Sequence, residues 1–263
     1  MTTPVAFRVY DTPDDIGEAI AARLLRSIAD AAREGRRFLL GLPTGRTPRP
    51  VYAAMSRQLR GVPQSLAHVT LVMMDEYLRP RGAGGYEYAL GSDVPSCHAF
   101  AEAEITGALN GSLDASIQLP KSQVWFPDPA DAASYDDRIA AAGGIDFFLL
   151  ASGAGDGHVA FNPPGSARQS RSRIVELSEQ TRRDNLLTFP ALGELANVPR
   201  HGVTVGIATI TDAREAMMLA WGEGKRETVR RMRSATTYEP DWPATVIHEC
   251  RRVALLVDTA AVT

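Results

Sequence analysis

Five short, almost unbroken apolar runs, at residues 37–42, 68–74, 145–151, 215–221 and 253–257, most restrict what this 263-residue chain can fold into. Runs of that length, bounded by turn residues, read as strands buried on both faces. Helical patterns lie between them. Thr12, Pro13 and Asp15 form a cap, a first-turn proline and a capping box; Ile16, Ile20, Leu24, Leu25 and Ile28 then recur on one face, and Gly35 supplies a left-handed stop. Thr47 and Pro48 read as the cap and first residue of a second helix through Tyr52 and Met55. Further helices are expected at 96–108, 129–142 and 224–232, with a helical turn at 209–212 and shorter strands at 173–177 and 203–207. Strands alternating with helices predict an α/β fold, a Rossmann-like three-layer αβα arrangement around a mainly parallel sheet.

Composition excludes several classes of function. The 44% hydrophobic content suits one domain over residues 1–263, with 82–95 as an inserted flexible loop at the edge of a pocket. With 28 basic against 31 acidic residues, no nucleic-acid surface is expected. The two cysteines, Cys97 and Cys250, make no disulfide framework and point to a reducing, cytoplasmic setting. The five histidines lack zinc-type spacing, so no metal is expected. No apolar run approaches the roughly 18 residues of a membrane span. The glycine signatures of dinucleotide and P-loop sites are missing, and no cofactor is expected.

Four segments at strand ends carry candidate chemistry. In residues 41–48, GLPTGRTP, a strand meets a glycine turn and a helix start, presenting free amides and a positive helix end to an anion. Thr44, Gly45, Arg46 and Thr47 would hold a phosphate. In residues 73–78, MMDEYL, an apolar run ends on Asp75, a carboxylate placed to act as a base if partly desolvated. In residues 152–166 a glycine-rich turn sets Asp156 and His158 two apart, where an imidazole can exchange protons near neutral pH. Residues 222–225 repeat the strand-end pattern with Lys225 as a point charge for phosphate. Each segment alone has an ordinary reading as a capped turn or a solvated charge. Together they place acid–base groups and anion sites on one sheet edge, which suits a phosphorylated small molecule.

These motifs, with SRSRI (170–174), QTRRDN (180–185), the stretch 201–225 and VIHECRRVALLVD (246–258), occur in one order. The chain thereby resembles the glucosamine-6-phosphate deaminase/isomerase family, within a wider group that includes 6-phosphogluconolactonases. The resemblance implies aldose–ketose isomerisation of glucosamine 6-phosphate, or a close amino-sugar phosphate, to fructose 6-phosphate with loss of ammonia. It implies Asp75 as the base that moves a proton between C2 and C1 through an enolamine. His158 would open the pyranose ring, with Asp156 holding it. Thr44, Gly45, Arg46, Thr47, Arg182 and Lys225 would bind phosphate, without metal or cofactor.

Two departures bear on that expectation. Pro163 stands where the family carries a glutamate partnering the histidine, with Glu176 or Glu179 as substitutes. Ser166 and Arg173 match an activator site, but Val175 replaces its lysine, so activation by an amino-sugar phosphate is not expected. A lactonase acting through His158 and a non-catalytic phosphosugar-binding homologue are the alternatives; Tyr77 and residues 159–162 favour the deaminase. Self-association into a homo-oligomer stays open.

Overall fold

The computed structural model describes residues 4–82, 84–90 and 96–263. Among the described residues eleven strands follow one another: β1 (Ala6–Tyr10), β2 (Phe38–Leu42), β3 (Val69–Met73), β4 (Asp75–Pro80), β5 (Tyr86–Tyr88), β6 (Val124–Trp125), β7 (Phe147–Ala151), β8 (Arg173–Glu176), β9 (His201–Thr204), β10 (Ala216–Ala220) and β11 (Val253–Asp258). Seven make a parallel sheet in the order β1-β11-β10-β7-β2-β3-β6. The other four make an antiparallel sheet, β5-β4-β9-β8.

Side-chain alternation explains the three layers. Leu40, Leu42, Leu71, Met73, Phe147, Leu149 and Leu219 point to one face, where the helices Pro13–Arg33 and Arg49–Gly61 bury their apolar stripes. Leu39, Val72, Phe148, Leu150 and Met218 point to the other, against the helices Ser134–Ala141, Ile207–Thr211 and Arg226–Ser234. At Gly41 an added Cβ would lie 2.1 Å from the Phe148 ring, so that position admits no side chain. The first helix is capped as expected: Thr12 accepts from the Asp15 amide, Asp15 accepts from the Thr12 amide, and Gly35 takes a φ of 65°.

Several details differ from the sequence reading. The runs at 173–177 and 203–207 do not join the parallel sheet; Arg173–Glu176 and His201–Thr204 pair with β4 in the second sheet. The chain passes between sheets at Met74, so Asp75 opens an antiparallel strand rather than ending a parallel one. The second helix starts at Arg49 with Pro48 as its cap residue, and Thr47 makes no side-chain cap. The strand Ala6–Tyr10 was not expected, because an edge strand half open to solvent lacks an apolar run. The 82–95 stretch is partly regular: Tyr86–Tyr88 pairs with β4, while Ala83 and residues 91–95 lie outside the described residues. No described helix is long and apolar enough to cross a membrane.

Candidate active site

Strand order runs β2, β3, β6 in one direction from the middle of the parallel sheet and β7, β10, β11 in the other. Between β2 and β7 the order reverses, and loops leaving such neighbours diverge to open a crevice at the strands' carboxyl ends. A cavity of about 400 Å³ lies there. Loops after β2 (Pro43–Thr47), β3 (Met74), β7 (Ser152–Ala154, His158) and β10 (Trp221, Gly222, Lys225) line it with Asp75 at the start of β4, closed on one side by the helix Glu179–Thr188.

The loop after β2 leaves a run of backbone amides unpaired. Among the described residues, none of the Thr44, Gly45, Arg46 and Thr47 amides donates to a protein acceptor. Gly45 takes a φ of 99°, a backbone conformation that favours glycine. The helix Arg49–Gly61 adds the positive end of its dipole. Trp221 Nε1 donates to the Thr47 carbonyl at 2.9 Å and holds the loop against the end of β10. Lys225 reaches the cavity from the next loop, its ammonium donating to the Ser152 carbonyl. Burial, against the opposing pull of Asp184 and with a push from Arg46, brings its pKa down to about 8.

Asp75 is 5% exposed at the cavity wall. Burial pushes its pKa up to about 7, with Glu76 adding to the rise and the Cys97 thiol and His158 opposing it. His158 is fixed by a tight network. Its Nδ1 lies 2.7 Å from Asp156 Oδ1 and 3.1 Å from Thr181 Oγ1, and Ser178 donates to Asp156 Oδ2 at 2.7 Å. Burial works against charge on Asp156. The bond and charge of His158, with the Ser178 hydroxyl, outweigh it and hold the carboxyl below the usual range. An ionised Asp156 fixes the proton on Nδ1 and leaves Nε2 free of protein partners among the described residues. Gly153 makes room for the ring: a Cβ there would come 2.2 Å from Nδ1. Ala160, beside it on the cavity wall, is held at a φ of 50°, a left-handed conformation rare outside glycine.

The structure therefore brings Thr44, Gly45, Arg46, Thr47, Asp75, His158 and Lys225 to one cavity, with Asp156 behind His158. It does not bring Arg182 there. On the helix Glu179–Thr188, residues Thr181, Asp184, Asn185 and Thr188 share the inward stripe. Arg182 falls off that stripe and donates to the Leu195 and Val198 carbonyls instead. Neither glutamate offered in place of Pro163 reaches His158: Glu179 pairs with Arg183, and Glu176 is exposed opposite His201. Sequence reasoning missed the helix Glu179–Thr188, which lacks an apolar period; its one legible mark is the Ser178 cap, whose side chain accepts from the Thr181 amide.

A loop of free amides at a helix start, with a buried carboxyl and an imidazole lining the same crevice at the switch point of a parallel sheet, makes an α/β site suited to a small anionic molecule. Residues 11–256 match the family described as glucosamine-6-phosphate isomerases/6-phosphogluconolactonase, and the chain belongs to that family. It is 37% identical over 225 residues to a glucosamine-6-phosphate deaminase of Beutenbergia cavernae, covering 85% of this chain and 80% of the relative. It is 34% identical over 246 residues to the Rhodopirellula baltica enzyme of the same name, covering 93% and 91%. Its fold superposes on a monomeric glucosamine-6-phosphate deaminase with a TM-score of 0.80 at 29% identity, over 98% of both chains. A 6-phosphogluconolactonase from Leishmania guyanensis shares the fold, with a TM-score of 0.71 at 19% identity over 98% of both chains.

Proposed function

We propose that this protein converts glucosamine 6-phosphate to fructose 6-phosphate and ammonia. One observation carries the reading: a buried carboxyl poised near pH 7, Asp75, faces the same cavity as a four-amide anion cradle. Such a carboxyl is matched to taking and returning a carbon-bound proton, which ester hydrolysis does not need.

The cradle and Lys225 hold the phosphate and so fix the sugar's far end. His158, its Nδ1 proton held by Asp156, uses Nε2 to move a proton from the O1 hydroxyl to the ring oxygen, opening the ring. Asp75 then takes the C2 proton from the aldehyde form while O1 gains one, giving the enolamine. Return of the proton to C1 leaves a 2-imino sugar. Water adds at C2 and ammonia leaves. The names of the relatives and the likeness to a solved monomeric glucosamine-6-phosphate deaminase support this reading.

The test is ammonia release coupled to fructose 6-phosphate formation from glucosamine 6-phosphate, run beside lactone hydrolysis. Turnover of 6-phosphogluconolactone alone, or phosphosugar binding without turnover, would overturn the proposal.

Two further results are expected. Lys225→Met raises KM by about tenfold to a hundredfold, the scale of a lost charge-assisted bond, with a smaller change in kcat. In the native enzyme the lysine is charged below its pKa, so affinity falls as pH rises past about 8, and the variant lacks that limb. Rate curves are expected to be hyperbolic and unmoved by N-acetylglucosamine 6-phosphate. Arg173 spends its guanidinium inside the protein, on Asn162 Oδ1 at 2.8 Å and Ser166 Oγ at 3.1 Å, and Val175 is buried. Sigmoid curves made hyperbolic by that ligand would contradict this.

A further inference from the structure

Cys97 is the first residue of the helix Cys97–Phe100 and is 1% exposed. Its Sγ lies 3.3 Å from Asp75 Oδ1 on one side and 3.4 Å from Thr44 Oγ1 on the other. Thr44 belongs to the anion cradle and Asp75 is the base of the proposed reaction, and both line the cavity. One sulfur thus touches the group that would meet phosphate and the group that would meet C2.

The sulfur is held at that height. Glu76, wholly buried, accepts from the Cys97 amide at 3.0 Å and the His98 amide at 2.8 Å, and Ser96 caps the same turn. Burial pushes the thiol's pKa well up, helped by Glu76 and Asp75, so sulfur keeps its proton and donates it to the carboxylate. Thr44 has one hydroxyl proton. While the cavity is empty that proton can go to sulfur, giving a cooperative O–H···S–H···O chain that stabilises ionised Asp75.

We propose that Cys97 is a positioning residue that links the phosphate cradle to the base, so that an anion bound at Thr44 makes Asp75 a stronger base. A phosphate oxygen takes the Thr44 proton, sulfur loses its donor, its own bond to the carboxylate weakens, and the carboxylate holds a proton more tightly. The base is thereby strengthened when a phosphorylated substrate arrives. The proposal rests on the reading of Asp75 as base. Among the described residues, the other titratable groups that interact with Asp75 through charge are Glu76 and Tyr77 on its own strand, His158 from the loop after β7, and Tyr135 from the helix Ser134–Ala141. None of them touches the cradle and the carboxylate together as Cys97 does.

The test is a difference-infrared titration of the Asp75 carboxyl in the full chain, its band assigned with Asp75→Asn, with and without inorganic phosphate. Native protein is expected to titrate near 7 and to shift upward with phosphate. Cys97→Ala should titrate about one unit higher without phosphate, the scale of a lost hydrogen bond to a charged group. Its phosphate-induced shift should fall by half or more. Cys97→Ser keeps a donor and should restore both behaviours. A Cys97→Ala midpoint equal to the native one, a full phosphate shift in that variant, or a native midpoint indifferent to phosphate would each overturn the link. The readout needs no turnover. A protein that releases no ammonia yet titrates as stated refutes the assigned reaction and keeps the link.

Discussion

Asp75→Asn should abolish ammonia release, by about a thousandfold or more, and make the protein more stable above neutral pH. The first effect follows from removing the base of the proposed reaction. The second follows from burial. A carboxyl raised from 3.8 to about 7 in the folded state is ionised more easily in the unfolded chain. The native protein keeps its full stability below the unfolded value, and loses it as pH rises from about 4 to about 7. At pH 8 the asparagine variant avoids a penalty on the order of 2–4 kcal/mol. Urea unfolding at pH 4 and pH 8 checks this: the two proteins should differ little at the lower pH and clearly at the higher. A variant that is inactive but no more stable at pH 8 would mean that Asp75 carries no raised pKa.

Asp156→Asn should leave the cavity intact and still lower kcat by about 10²–10³-fold. The carboxylate lies behind His158 and not among the residues lining the cavity; it accepts from His158 Nδ1 and thereby selects the tautomer. An amide in its place can turn its NH₂ toward the ring, drawing the imidazole proton to Nε2 and reversing what that nitrogen offers to O1. The loss should fall mainly on kcat, because the loop after β2 is untouched and Lys225 loses only the charge of Asp156, a minor influence on its pKa. It should also be relieved in part with an analogue already in open-chain form, which does not need ring opening. An equal loss on closed and open forms would show that Asp156 acts on the structure at large.

The five apolar runs predicted the core of the parallel sheet because strands covered by helices on both faces have little choice of side chain. The strand-end loops were legible for a like reason: glycine at 45, 153, 155 and 157 answers to left-handed turns and close approaches that a side chain resists. What the sequence concealed was assignment in space. Nothing in residues 203–207 tells a parallel from an antiparallel partner, since they are buried throughout, as a strand of the parallel sheet would be. Arg182 lay in a motif of the right order, yet helical rotation of about 100° per residue decides which side chains meet the cavity, and that helix has no apolar stripe to reveal its phase. The contacts of Cys97 with Thr44 and Asp75 join residues 53 and 22 apart, which no local pattern encodes.

The pairing of β1 with β11 has a consequence in time. Ala6 lies opposite Ala254, so the parallel sheet is complete only when residues almost the whole chain apart have met. The crevice lies deeper still in that order of assembly: β2 and β3 bring the cradle and the base, β7 and β10 bring the imidazole and the lysine, and they join at one seam, Leu40 opposite Phe147 and Gly41 opposite Phe148. A nascent chain halted before β7 holds the base and the cradle but no seam to set them against. Folding should accordingly be slow for the protein's size, as non-local pairing generally is. Because both halves of the chain must be present before the seam closes, half-made chains should be inert toward sugar phosphates.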